Sequence, residues 1–310
     1  MLPKIIQLAP QYRDYVWGGH RLRPGPDPTA EAWIVYEGDQ VAAGSMRGRT
    51  LADLAAEFPV ELAGRRLPGR FPLLIKLLDC AEWLSVQVHP DDDQARRMEG
   101  PDQNGKTEAW HILDAEPDAR LIAGLKPGVD HLAMEVAIRQ GRIVDLARYL
   151  DVRTGETVYM PARTNHALGP GLLIYEIQET SDITYRVYDW DRPQSEGRQL
   201  HIEQSIAVAN PSTYVEPVPD PPLDDGESKV VCRSDYFILE KLYTASQEIH
   251  FHTYGKTFHT LTVIDGRVRL FAGDENLTLN RYETALIPAS GGDYFLQPER
   301  PSFLLKATLP

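Results

Sequence analysis

The chain has 310 residues, with 32 Lys plus Arg against 45 Asp plus Glu and a formal net charge of −13. At 42% hydrophobic and 25% charged residues the composition is that of an ordinary globular protein, which excludes wholesale disorder. The negative balance repels a phosphate backbone and no block of Lys or Arg offsets it, which argues against nucleic-acid binding.

From the N-terminus, residues 1–10 carry no apolar signal core, so the chain is expected to be cytoplasmic. Thr50 can cap a helix over residues 51–58 that Pro59 stops. Strand-like runs follow at residues 71–78, 84–89 and 109–113, and Asp91 after Pro90 resembles a helix cap. Asp130 can cap a helix over 131–140 closed by Gly141, with a second helical piece over 142–150. Strand signals resume at 157–160 and 172–178, then a helix over 201–208 ends at Asn210-Pro211. The longest apolar stretches, at 73–78 and 172–175, are too short to cross a bilayer, so no membrane partner is expected. Cys80 and Cys232, far apart and without a second thiol at metal spacing, read as reduced, buried residues.

Residues 210–225 hold five prolines with no helical or strand period. The expected division is therefore a domain over 1–225 and a second over 226–310. In the second part, strand-like runs at 237–242, 260–264, 267–271 and 284–287 include Asp265-Gly266 between two runs, a hairpin signal. GETVYMPARTNH (155–166) and NRYETALIPASGG (280–292) share a turn, strand, Pro, loop order that hints at duplication. Many short strands with minor helices predict a mainly β sandwich or barrel.

Four segments could do chemistry. In LSVQVHPDDD (84–93), strand parity puts Ser85, Gln87 and His89 on one face and Leu84, Val86 and Val88 on the other. In NGKTEAWH (104–111), Lys106 and Glu108 share a face and His111 faces away. His166 follows a Pro-initiated loop in YMPARTNHA. In LLIYEIQETSDITYRVYDWDR (172–192), Glu176 and Arg186 are charges inside apolar strands. Each segment alone reads as a solvated face, an exposed ion pair or a packed histidine. Together Gln87, His89, Glu108 and His166 make a two-His, one-carboxylate, one-amide set suited to Zn²⁺ and its first-row neighbours, in an open rather than a closed structural site.

These segments, with FPLLIKLLDCAEW upstream, YVWGGHRL and EAWIVYEG, closely resemble the type I mannose-6-phosphate isomerases in their short bacterial and archaeal form. The matches keep family order from about residue 12 to 205. The resemblance implies two cupin (jelly-roll) β-barrels with small helical insertions, the first carrying the metal and the second degenerate. It implies metal ligands at Gln87, His89, Glu108 and His166, an active-site arginine at Arg186, a strand glutamate at Glu176, and site residues at Lys76, Lys106 and Ser85. The implied reaction interconverts mannose 6-phosphate and fructose 6-phosphate through a cis-enediol, with a sugar phosphate as substrate. Arg186 would steady the enediolate or the phosphate, Ser85 and Lys76 are phosphate-side contacts, and Glu176 or Lys106 is the general base. The sequence does not set the metal's identity or the oligomeric state.

Two positions depart from the family. Gly105 stands where longer members have a histidine proposed to open the sugar ring, and Arg163 stands where a glycine is usual. The rival readings are a non-catalytic sugar-phosphate-binding cupin and a metal-dependent oxygenase, since two His and one carboxylate also suit Fe(II). His250 and His252 have metal-strand spacing, with His259 behind them, but IPASGGDY lacks a matching histidine, so no second metal is expected.

Overall fold

Short strands dominate, as the Val-, Ile- and Leu-rich runs predict, in the computed structural model, which describes residues 1–23, 25–67, 70–193 and 198–310. The chain divides into two compact units: Met1–Gln11 with Trp33–Ile75 and Asp220–Pro310, and Tyr12–Ala32 with Lys76–Pro219. Among the described residues no helix is long and apolar enough to cross a membrane. Cys80 and Cys232 are buried and form no disulfide.

Two antiparallel sheets build the unit that holds the site residues. A five-stranded sheet runs in the order Tyr185–Tyr188, Val86–Val88, His166–Leu168, Arg120–Leu125, Ala147–Asp151. In the seven-stranded sheet, Thr157–Met160, Glu108–Ala115, Leu172–Glu179 and Leu73–Cys80 are successive neighbours. Leu121, Ala123 and Leu168 of the first sheet pack with Trp110, Ile112, Met160 and Ile174 of the second in one buried cluster. The other face of the five-stranded sheet is also covered: Val86, Val88, Ile122 and Val187 pack against Met134, Ile138, Ile206 and Val208 from two short helices. Burial on both faces explains the continuous apolar character of these strands.

The inner face changes character along each strand. Ile112, Trp110 and Glu108 follow one another on one side of Glu108–Ala115, and opposite them stand Ile174, Glu176 and Gln178. Leu168 and His166 do the same in the five-stranded sheet. The apolar end holds the two sheets together, and the polar end leaves buried charges that need partners.

The predicted helices form with small shifts. Thr50 closes a capping box on Leu51–Glu57, but Pro59 opens a second helix, Pro59–Ala63, instead of ending structure there. Proline suits a first helical position because its missing N–H would be unpaired anyway. Asp130 caps His131–Arg139 through Ala133 N at 2.8 Å, and only Ile143–Leu146 of the next piece is helical before strand Ala147–Asp151.

In the other unit an antiparallel sheet centres on two long strands, His259–Ala272 and Asp293–Thr308. The Asp265-Gly266 hairpin does not form. His259–Ala272 runs straight through it, with register shifts beside Asp265 where it pairs with Asp293–Thr308. Gly266, at φ +94°, supplies the left-handed residue of a bulge, a role the same dipeptide serves as well as a turn.

Candidate metal and substrate site

His89, Glu108 and His166 meet at the polar end of the two facing sheets, their ligand atoms all within 4.8 Å of one another. Strand register explains the meeting of groups so distant in sequence. Glu108 stands opposite Met160 and Gln178 in the seven-stranded sheet, whereas His166 stands opposite Gln87 in the other. Gln87 in turn stands opposite Arg186. Residues directly opposite across an antiparallel pair share a face, so His166, Gln87 and Arg186 lie in one row. His89 follows Val86–Val88, in parity with Gln87.

The tautomers are set from behind. His89 Nδ1 and His166 Nδ1 lie 2.8 Å from the carbonyls of Ile183 and Thr164, so each Nδ1–H donates and each Nε2 keeps its lone pair. Burial, with Lys106 next, lowers the pKa of both rings, that of His166 to about 3, which keeps them neutral. His166 Nε2 faces Glu108 Oε1 at 3.3 Å, and neither atom has a hydrogen-bond partner among the described residues. Two buried acceptors turned toward each other call for a positive charge between them. The Lys106 ammonium donates to His89 Nε2 at 3.1 Å and reaches Glu108 Oε2 at 2.7 Å. Burial pushes the Glu108 pKa up, against the pull of Lys106. The Trp110 ring, 5.4 Å from the His166 ring, packs edge-on against it.

A second charge group adjoins the first. Trp110 Nε1 donates to Glu176 Oε2 at 2.9 Å, and Lys76 Nζ lies 3.1 Å from Glu176 Oε1 and 3.9 Å from Glu31 Oε2. Burial works against the charge on Glu176, but Lys76 and Lys106 outweigh it and hold its pKa below the usual range. Burial likewise opposes the charge on Lys76, and Glu176 and Glu31 more than offset it. This carboxylate is held as an anion and both its oxygens are engaged.

Arg186 sits on Tyr185–Tyr188 with its Nη1 donating to Gln199 O at 3.1 Å. Its Nε is buried without a partner among the described residues, leaving a donor for a ligand. Ser85 is buried, and no side-chain bond ties it to the triad among the described residues. His111 turns away as parity predicts and is hydrogen-bonded to Thr157 Oγ1 at 2.9 Å. Glu31, Trp110 and Gln178 join the site without having been singled out. Gln178 is the one with a usable signal, since it shares a strand face with Glu176.

Arg163 adopts φ +72°, the conformation that makes a glycine usual there. Its guanidinium donates to Val208 O at 3.1 Å and lies 3.5 Å from Asp91 Oδ2. In the other unit His259 is buried and hydrogen-bonded to Tyr294 Oη at 2.6 Å, and among the described residues the three-ligand cluster is His89–Glu108–His166 alone.

A mainly β, cupin-like chain whose facing sheets enclose two neutral imidazoles, a carboxylate and flanking cations defines a protein equipped to hold a metal beside an anionic ligand. A family model for the catalytic domain of type I phosphomannose isomerase matches residues 5–112. A probable mannose-6-phosphate isomerase of Bacillus subtilis is 34% identical over 94% of this chain and 95% of its own length. The mannose-6-phosphate isomerase of Streptococcus mutans is 34% identical over 91% of each chain. The crystal structure of a Bacillus subtilis mannose 6-phosphate isomerase superposes with a TM-score of 0.87 at 30% identity, covering 98% of this chain and 99% of that one. The chain belongs to the type I phosphomannose isomerase family.

Proposed function

We propose that this protein is a metal-dependent aldose–ketose isomerase that interconverts mannose 6-phosphate and fructose 6-phosphate through a cis-enediol. The observation that carries the reading is the facing pair His166 Nε2 and Glu108 Oε1, buried, 3.3 Å apart and without a hydrogen-bond partner among the described residues. His89, Glu108, His166 and Gln87 would hold the ion, and a nitrogen–oxygen donor set without thiolate suits Zn²⁺ in an open site. When bound, the ion supplies Lewis-acid polarisation of the sugar oxygens.

The chain's own groups divide the remaining work. The proton at C2 must leave and one must return to C1, which needs a base within about 3 Å of both carbons. Glu176 is ill suited, because Lys76 and Trp110 engage both its oxygens and leave it a weak base. Lys106 is the better carrier: its Nζ stands at the triad, 2.7 Å from Glu108 Oε2 and 3.1 Å from His89 Nε2, and as the free amine it would take the proton from C2 and return it to C1. Glu176 then keeps the Lys76 ammonium in place for the phosphate side, together with Ser85. Arg186, with its unpartnered Nε, neutralises the oxyanion or the phosphate. The surrounding seam of apolar side chains excludes water, which strengthens each of these charges.

The test is incubation of metal-loaded protein with mannose 6-phosphate in deuterated water, followed by proton NMR. Ketose formation with deuterium entering at C1 or C2 is expected. Binding without turnover or exchange would reveal a sugar-phosphate receptor instead.

A further inference from the structure

The loop that carries Lys106 is sewn on two sides. Asn104 Nδ2 donates to Thr180 O at 3.3 Å, Ser181 Oγ donates to Asn104 O at 2.9 Å, and Glu179 N donates to Thr107 O at 3.2 Å. On the other side Lys106 N donates to Pro90 O at 3.1 Å, and Gly105 N donates to Asp92 Oδ1 at 2.8 Å. One side chain closes both seams. Glu179, 4% exposed, accepts from Thr107 N through Oε1 at 2.8 Å, and the neighbouring Asp92 carboxyl adds to the rise in its pKa. Asp92 is itself fixed by Arg96, whose Nη2 donates to Oδ2 at 3.0 Å.

Two carboxyls in contact share a proton, because two buried charges at that range repel. Burial pushes the Glu179 pKa up to about 8, with Asp92 adding and the Thr107 N–H opposing. At neutral pH the group is chiefly the acid, so it can accept from Thr107 and donate to Asp92 at once.

We infer that Glu179 is a positioning residue for Lys106: its carboxyl bridges Thr107 N–H and the Asp92 carboxylate, and so fixes the backbone that aims the Lys106 ammonium at Glu108 and His89. This rests on the reading of Lys106 as the proton carrier. A lysine has four rotatable side-chain bonds, so the place of its amine follows the backbone that anchors it. The metal-facing groups do not depend on this seam in the same way, since Glu108 and His166 sit on regular ladders. Displacement by about 1 Å is enough to slow a proton transfer by roughly a hundredfold.

The experiment compares Glu179→Met, Glu179→Gln, Asp92→Ala and Lys106→Met for kcat, KM, metal content and melting midpoint. In the metal-stripped proteins it also follows the acetylation rate of Lys106 by mass spectrometry. Glu179→Met is expected to lose about tenfold or more in kcat with KM within about threefold and metal content unchanged. Its Lys106 should be acetylated faster than in the parent. Glu179→Gln should recover most of the loss, because an amide accepts and donates at the same two places. Parental kcat and labelling in Glu179→Met, or equal losses in Met and Gln, would overturn the inference. If Glu179→Met does not fold, Asp92→Ala at its partly exposed position breaks the same bridge, and parental kcat and labelling there would overturn it too. Lys106→Met separates the two readings: full turnover in that variant removes Lys106 as proton carrier, and the labelling rates then decide the positioning claim alone.

Discussion

A side chain at position 105 would begin 2.5 Å from Asp92 N and 2.6 Å from Asp91 C, because the loop presses onto the start of helix Asp92–Met98. Backbone atoms cannot yield as a flexible side chain can. A histidine at this position, as the resemblance to longer family members would imply, has no room. Gly105→His should therefore move Lys106 as well as add a bulky ring, with kcat falling by about tenfold or more and the melting midpoint dropping. Steady-state assays and thermal unfolding of the variant check this, and undiminished turnover would mean the loop can retreat. The site itself was half legible. Strand parity grouped Gln87 with His89 and Lys106 with Glu108, and the family resemblance joined them. No spacing could reveal that Lys76 faces Glu176, or that Glu179 braces the loop, since both facts depend on which strands become neighbours. The resemblance marked Arg163 as unusual, but only its φ of +72° says why glycine is preferred there.

Capped helix starts and the Val-, Ile- and Leu-rich strands form close to where local sequence puts them, and the departures come where packing of distant segments decides. Thr50, Asp91 and Asp130 each accept from the backbone three residues on, an interaction complete within one helical turn. The Asp265-Gly266 pair is the opposite case. Locally it favours a turn, yet the strand continues because Asp293–Thr308 offers a long ladder on which a bulge is the smaller disturbance. Gly266 is pinned there: at φ +94° an added Cβ would meet Pro301 O at 2.4 Å and the Ser302 Cα at 2.6 Å. Gly266→Ala should cost about 1–3 kcal/mol through backbone strain alone, with more from the clash. Urea unfolding of the variant measures it. A change smaller than about 0.5 kcal/mol, the usual scatter of surface substitutions, would mean that the bulge is not structurally required.

At the scale of the whole molecule, charge and composition argue against a nucleic-acid partner but say nothing about how stability responds to pH. That response depends on the few buried groups whose pKa differs between folded and unfolded chains. His259 is 8% exposed, and burial, with Lys306 and His252 adding, lowers its pKa from 6.5 to about 3. Between those values the unfolded chain binds a proton that the folded one refuses, so stability falls as pH drops from 6.5 toward 3. Glu179 acts in the other direction. Its pKa rises from 4.5 to about 8, so the folded chain holds a proton that the unfolded one has released, and this contribution is lost as pH climbs through that window. Each could amount to a few kcal/mol at most, since one pKa unit is about 1.4 kcal/mol and partial hydration reduces it. His259→Phe, which keeps a ring of similar size, should make the acid limb of the melting midpoint against pH shallower, with buried His89 and His166 keeping the rest of it, while leaving the alkaline limb unchanged. Glu179→Gln should flatten the alkaline limb and leave the acid one. The two units share one chain but hold these groups separately, His259 in the unit with Asp220–Pro310 and Glu179 in the unit with Lys76–Pro219. Scanning calorimetry between pH 4 and 9 on the parent and both variants tests the assignment, and a variant whose curve runs parallel to the parent's would remove that residue as a source of its limb.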